Sequence, residues 1–518
     1  MKVLLVYPQY PDTFWSFKHA LKFIFKKAIF PPLGLLTIAA MLPEEWEKKL
    51  VDVNTTTLTD KDLKWADYVF ISAMVAQRNS AREVVDRCGK LGTKIVVGGP
   101  LFTPGNEDFG FDDIDYLVFN EAENIMPLFI EDLEKGCAKH IYMSEERPDI
   151  RKSPVPLWSL INKRKYHMMS IQYSRGCPFN CDFCDVVILN GHRPRTKDKS
   201  QIVAELDALY DMGWRARVFF VDDNFIGNKR KLKSEILPAI IKWMEEKKRP
   251  FSFFTEASIN LADDEELMRL MSEAGFDQVF VGIESPNEES LVECNKLPNK
   301  NRDLLTSVKK IQNYGLEVQG GFIVGFDSDP VSIFKSQIDF IQKSGIVTAM
   351  VGVLVALPET RLYKRLKREN RLLVDGTGTG DNTDGSTNFI PKMGYEALAR
   401  GYKQVVDTIY APKQYYERIR IFLREYKPSD KGKFKISPFH IIVLIRSLWI
   451  LGVEEKGRIH YWKLFVWTLL KKPKSFQLSL MLAAQGFHFR KVAGKIRVSL
   501  TSDIQELERV RKPAGEQN

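Results

Sequence analysis

Residues 174–184 read Ser-Arg-Gly-Cys-Pro-Phe-Asn-Cys-Asp-Phe-Cys, which spaces Cys177, Cys181 and Cys184 as Cys-x3-Cys-x2-Cys with no fourth cysteine nearby. Iron–sulfur clusters are held by cysteine thiolates, and a cubane normally takes four. Three ligands on one short loop leave one iron uncoordinated by protein and open to a reactant. A structural zinc site closes with four ligands, usually from paired Cys-x2-Cys arms or added histidines. The nearest histidines, His167 and His192, stand ten residues before the cysteines and eight after them, and form no zinc-type pair. The loop is read as a three-thiolate iron–sulfur site.

The loop follows the first of six predicted strands, at 169–174. The others fall at 217–221, 251–256, 279–284, 318–324 and 349–356, with helical patterns at 201–211, 265–274, 302–314 and 333–344. Asp263 or Asp264, and Asn301, are the expected N-caps of two of these helices. Six β/α units suit a partial barrel better than the eight-unit form, which takes about 250 residues. Chemistry in such barrels gathers at the carboxyl ends of the strands. The cysteines stand at that rim, with Asp222-Asp223-Asn224, Glu256 and Glu284 closing the next three strands.

An earlier series occupies residues 1–140, with strands at 2–7, 68–73, 94–97 and 116–119 and helices at 35–42, 80–91 and 121–133. Alternation of this kind predicts a doubly wound, Rossmann-like parallel sheet that binds ligand beyond the carboxyl ends of its strands. Gly98-Gly99-Pro100 lies at one such end, where glycine lets the backbone approach a ligand. No Gly-x-Gly-x-x-Gly follows the first strand, so a dinucleotide is not indicated. Residues 141–165 are polar and proline-bearing and read as a linker, 166–365 as the partial (β/α)6 barrel, and 366–518 as a mainly helical region. The fold class is α/β with a helical C-terminal module.

With 518 residues, 44% hydrophobic and 27% charged, the chain has ample length for several globular cores. Six cysteines in this length are no disulfide framework, and Cys88, Cys137 and Cys294 are expected to be buried small hydrophobes. An oxygen-sensitive cluster and free thiols point to a reducing cytoplasm, and the N-terminus lacks a signal-peptide pattern. The net charge of +10 is uneven: residues 431–500 hold fourteen Lys/Arg against Glu454 and Glu455. That asymmetry argues against a general nucleic-acid binder and for one basic surface. Within it, the runs 441–451 and 461–470 are apolar or aromatic and too short for the roughly 20 residues that span a bilayer. They suit either an interfacial helix on anionic lipid or the inner faces of a small helical bundle.

The three-cysteine loop, with aromatic Phe183 directly before Cys184, resembles the cluster motif of the radical SAM superfamily. The resemblance implies a [4Fe–4S] cluster whose open iron chelates S-adenosylmethionine, which is cleaved reductively to a 5′-deoxyadenosyl radical. It implies S-adenosylmethionine contacts from Phe183, Asp222, Asp223, Glu256 and Glu284. Gly321-Phe322-Ile323-Val324-Gly325 is similar to the family's adenine-backing motif, which often ends in a glutamate three residues on. Ser328 stands there instead, between Asp327 and Asp329. The N-terminal domain resembles that of the cobalamin-dependent radical SAM class, on Pro31-Pro32-Leu33-Gly34-Leu35, Val97-Gly98-Gly99-Pro100 and Asn120-Glu121-Ala122-Glu123. This implies cobalamin near Gly98, Gly99, Pro100, Asn120 and Glu121. No histidine, including His19 and His140, stands in an Asp-x-His-x-x-Gly pattern, so a histidine ligand to cobalt is not expected. Gln77 is either a residue near the lower face of the corrin or an ordinary surface glutamine.

Residues 388–393, Ile409-Tyr410 and Tyr415-Tyr416 are similar to the extra module of hopanoid methylases. Together these resemblances imply a cobalamin-dependent C-methyltransferase acting on a lipid-like substrate, served by a low-potential ferredoxin or flavodoxin. Peripheral membrane contact is also expected. A non-methylating cyclisation or rearrangement is the enzymatic alternative, and a membrane-associated iron–sulfur or cobalamin sensor the non-enzymatic one.

Overall fold

The computed structural model describes residues 1–373, 379–427 and 438–511. The first layer is a wholly parallel sheet of β1 (Lys2–Tyr7), β2 (Glu47–Asp52), β3 (Tyr68–Ser72), β4 (Lys94–Gly98), β5 (Tyr116–Val118) and β6 (Ile141–Tyr142). Its order is β2-β1-β3-β4-β5-β6. Val3 to Val6 are fully buried, as a central parallel strand covered on both faces must be. The strand order reverses between β1 and β3, the switch point at which such sheets open a ligand crevice. Two strands have no counterpart in the expectations above. Glu47-Lys48-Lys49 masks the edge strand β2, and β6 falls inside the expected linker. The helix expected at 121–133 starts only at Met126 (Met126–Glu134), because Asn120 enters the left-handed region (φ +66°) and turns follow it.

The second layer is the six-stranded arc β7 (Met169–Ile171), β10 (Val218–Phe220), β11 (Phe253–Glu256), β12 (Phe276–Glu284), β13 (Glu317–Val324) and β14 (Ala349–Val353), parallel throughout and in chain order. The expected strand at 169–174 is two pieces: the chain leaves the arc after Ile171. Its continuation β8 (Ser174–Arg175) pairs antiparallel with β9 (Arg195–Thr196), closing the neck of the cysteine loop. Asp264 caps the helix Glu265–Ala274 by accepting from Leu267 N–H. Asp303, rather than Asn301, caps Leu304–Asn313; Asn301 has φ +53° and lies outside that helix.

The C-terminal part is helical: Tyr395–Ile409, Pro412–Glu425, Pro438–Trp449, Arg458–Lys471 and Phe476–Arg511. The last of these reaches back to the N-terminal domain, where Phe489 stacks on Phe14 with ring centres 4.4 Å apart. Tyr461, Leu464 and Thr468 point inward, whereas Ile459, Trp462, Val466, Leu469 and Leu470 are exposed. The inward side chains bear out the helical-bundle reading, and the outer face of this helix is apolar. Among the described residues no helix is long and apolar enough to cross a membrane. Cys88 and Cys294 are buried as expected; Cys137 is exposed, just past the end of the Met126–Glu134 helix.

Candidate active site

The end of β10 clamps the cysteine loop in place. Gly176 has φ +97°, and a Cβ there would lie 2.7 Å from the Gly191 carbonyl oxygen, so only glycine fits. Asp223 accepts from Gly176 N–H at 2.8 Å and from Asn190 Nδ2 at 3.0 Å. Asp222 accepts from Ser174 Oγ at 2.6 Å, from the Ser174 N–H and from Tyr173 N–H. Asn224 donates to Cys177 Sγ at 4.0 Å and to Ser258 Oγ at 3.3 Å. Asp222 is thus a brace for the loop, its oxygens already taken, while Asp223 both braces the loop and faces the main cavity.

All three thiols are half-buried, and burial pushes each one up, Cys184 to about 12. Isolated thiolates are disfavoured here, and a highly charged metal group is what would deprotonate them. Lys296, which carries no spacing signal in the sequence, stands beside them. Its Nζ lies 2.6 Å from Glu284 Oε1 and 6.0 Å from the Phe183 ring centre. Burial opposes its charge, but attraction to Glu284 and the thiols of Cys181 and Cys184 outweighs that and raises its pKa. Glu284, at φ +61°, is committed to this pair.

Among the described residues Glu256 has no ion-pair partner, and it faces the cavity. Burial first, then the nearby Asp223 and Asp222, pushes it up to about 8, and burial raises Asp222 to about 7. This rim is short of positive charge, so a ligand bringing an ammonium or sulfonium group is drawn to it. On β13, a Cβ at Gly321 would meet the Phe280 ring at 2.8 Å, and Gly325 has φ +106°. Asp329 closes the turn that follows, accepting from Gly325 N–H at 2.9 Å, Phe326 N–H at 3.1 Å and Ser290 Oγ at 2.6 Å. The carboxylate one residue past Ser328 therefore organises this turn. Asp327 is turned away to Arg365 and Arg371, each at 2.6 Å.

A cavity of about 1790 Å³ joins the two sheets and the C-terminal helices. Met74, Val75, Ala76, Pro100 and Asn120 line it from the switch point of the first sheet; Asp223, Glu256 and Phe280 line it from the barrel; Val443, Leu444 and Met481 line it from the helices. The β3 end presents no side-chain nitrogen or oxygen at Met74, Val75 and Ala76. Gly98 and Gly99 line a smaller neighbouring cavity of about 370 Å³ with Asn120, Gln172 and Arg175. A Cβ on Gly99 would lie 2.6 Å from Ser72 Oγ, so this glycine is needed for packing as well.

Two expected cobalamin residues have other duties. Gln77 is buried rather than on the surface; it donates to the Pro8 carbonyl at 2.5 Å and accepts from Met74 N–H at 2.8 Å. It shapes the β3 loop whose preceding residues reach the cavity. Glu121 pairs with Arg175 at 2.8 Å and with Arg195 at 2.6 Å, and Glu123 with Arg175 at 2.7 Å. These carboxylates bolt the N-terminal domain to the neck of the cysteine loop.

A crevice at a switch point, set against a barrel whose rim carries a three-cysteine loop, is the arrangement of a cobalamin-dependent radical SAM architecture. Family models agree: a B12 binding domain matches residues 27–130, the radical SAM superfamily 171–368, and a domain of unknown function 360–502. An uncharacterized methyltransferase of Synechocystis is 41% identical over 508 residues, covering 98% of this chain and 94% of the relative. The hopanoid C-2 methylase of Rhodopseudomonas palustris is 32% identical over 495 residues, covering 93% and 92%. The cobalamin-dependent S-adenosylmethionine radical enzyme OxsB, solved with aqua-cobalamin, shares the fold at a TM-score of 0.63 and 15% identity, covering 98% of this chain and 81% of OxsB. The chain belongs to the cobalamin-dependent radical SAM family. It is a methyltransferase of that family, with a [4Fe–4S] cluster, S-adenosylmethionine and cobalamin as its cofactors.

Proposed function

We propose that the chain methylates an unactivated carbon of a polycyclic isoprenoid lipid taken from an anionic membrane face. The observation that carries this reading is the helix Pro438–Trp449, which lines the cavity with apolar side chains and exposes others. Val443 and Leu444 face the cavity, while Ile442, Ile445 and Trp449 are 50%, 61% and 59% exposed. The exposed row continues over Ile459, Val466 and Leu470 of the next helix. Lys456, Arg458, Lys463, Lys471, Lys472 and Lys474 stand among and beside these positions in the sequence. An apolar face rimmed by lysines suits the interface of an anionic bilayer. A hopanoid methylase among the relatives supports the choice of lipid.

When bound, the cluster and S-adenosylmethionine supply a radical able to take hydrogen from such a carbon, and cobalamin supplies the methyl group. The chain's own residues hold and shield these groups. Cys177, Cys181 and Cys184 would hold the cluster, with Lys296 beside them; Asp223 and Glu256 offer carboxylates to the amino and sulfonium groups of S-adenosylmethionine. The β3 and β4 ends, with Pro100 and Asn120, would seat the corrin. Phe219, Phe254, Phe280 and Trp15 give the barrel side apolar walls that exclude water. A low-potential ferredoxin or flavodoxin supplies the electron.

The test uses reconstituted enzyme, reductant and vesicles carrying a hopene-type lipid in either anionic phosphatidylglycerol or neutral phosphatidylcholine. The expected result is co-sedimentation with the anionic vesicles and a lipid product heavier by one CH2 unit. The variant Ile442→Glu/Ile445→Glu should lose both while still cleaving S-adenosylmethionine. Equal binding to neutral vesicles, or no methylated lipid from any polycyclic isoprenoid offered, would overturn the reading.

A further inference from the structure

Away from the cavity wall, Asp12, His19 and His488 bring one donor atom each to within 4.8 Å of one another. The first two lie on the excursion after β1, and the third on the Phe476–Arg511 helix, 469 residues beyond His19. His19 Nε2 is 3.2 Å from Asp12 Oδ2, and the two imidazole centres are 5.5 Å apart. His488 is fully buried, and its Nε2 lies 2.9 Å from the Phe14 carbonyl oxygen. A carbonyl only accepts, so Nε2 carries the proton and Nδ1 the lone pair. That Nδ1 is buried and has no hydrogen-bond partner. An imidazole with one nitrogen pinned to a backbone carbonyl and the other bare is the usual setting of a histidine that ligates a metal.

We propose that Asp12, His19 and His488 form a divalent transition-metal site, separate from the cluster and the cobalamin, that staples the C-terminal helix to the N-terminal domain. Two imidazoles and one carboxylate are a donor set that zinc takes readily, with solvent in the fourth position. The neighbouring aromatic contacts already converge on this junction: Phe17 stacks on His488 at 5.4 Å and Phe14 on Phe489 at 4.4 Å. The staple would fix the wall formed by Thr13, Trp15 and Phe17 on one side of the substrate cavity and Met481 and Gln485 on the other. Lys495 pairs with the Asp12 carboxylate in this structure. Its side chain is 59% exposed and can swing into solvent when a dication takes its place.

The test is zinc content and zinc K-edge X-ray absorption of the full-length, cluster-loaded protein dialysed against zinc; the edge is blind to the iron and cobalt of the other cofactors. The expected result is one zinc per chain in an all-nitrogen/oxygen shell with imidazole scattering. That zinc should be lost in His488→Ala and His19→Ala, with circular dichroism checking that each variant is folded. Lys495→Met keeps the three ligands and should retain the zinc. Its loss there, a shell containing sulfur, zinc retained in folded His488→Ala, or no zinc in the unaltered chain would each overturn the site. None of these outcomes bears on lipid methylation, which is read separately from its product.

Discussion

Simultaneous replacement of Cys177, Cys181 and Cys184 by alanine is expected to reduce S-adenosylmethionine cleavage to background and to remove the iron–sulfur absorption. Each thiolate would hold one iron of the cluster. Thermal stability should change little, because the thiols are only half-buried and the loop is held by bonds that do not involve them. Those bonds are Asp222 to Ser174, Asp223 to Gly176 and the β8–β9 ribbon. The check is anaerobic reconstitution, iron and sulfide analysis, and 5′-deoxyadenosine release under dithionite. Cleavage retained in the triple variant would remove the three-cysteine loop from the chemistry.

The second large effect concerns Arg175, the residue two positions before Cys177. Its guanidinium meets Glu121 and Glu123, whose side chains are 9% and 3% exposed. Glu123 is held below the usual carboxylate range: burial works the other way, but the charge and hydrogen bonds of Arg175 outweigh it. Truncating one partner of a buried ion pair leaves the other charge buried and unpaired, at a cost of about 3–5 kcal/mol. Arg175→Met should therefore lower the urea midpoint markedly, and it should reduce cluster loading because the loop neck loses its anchor to the N-terminal domain. Arg175→Lys should rescue little, since an ammonium cannot span two carboxylates as a planar fork does. Arg175→Met/Glu123→Gln should regain part of the loss, because the stranded charge is gone. Unfolding of Arg175→Met at the wild-type urea midpoint would show that the bolt contributes nothing.

The same bolt shows what the sequence could and could not reveal. Six strands, their parallel order and the cysteine loop at the barrel rim were legible because each is a local signal: an apolar run, a turn, a spacing of three and two residues. The sites at strand ends followed from topology, which explains why Asp223 and Glu256 do face the cavity. Long-range polar partners were not legible. Glu121 was expected near cobalamin, and Gln77 either there or on the surface; one pairs with arginines 54 and 74 residues away, and the other bonds a carbonyl 69 residues away. Lys296 was missed for the same reason, as a lone lysine on a loop carries no pattern. The edge strand β2 was hidden because three charged residues open it. The length of the Phe476–Arg511 helix was hidden because it packs different faces along its course, against the helix Tyr395–Ile409, the helix Arg458–Lys471 and the segment after β1.

The central claim, radical methyl transfer through cobalamin, is tested most directly by product stoichiometry. Reconstituted enzyme with cobalamin, a low-potential reductant and lipid substrate should release S-adenosylhomocysteine and 5′-deoxyadenosine in equal amounts, both falling to background without the cluster. Deoxyadenosine formed with substrate turnover but without S-adenosylhomocysteine would contradict methyl transfer and leave a rearrangement in its place.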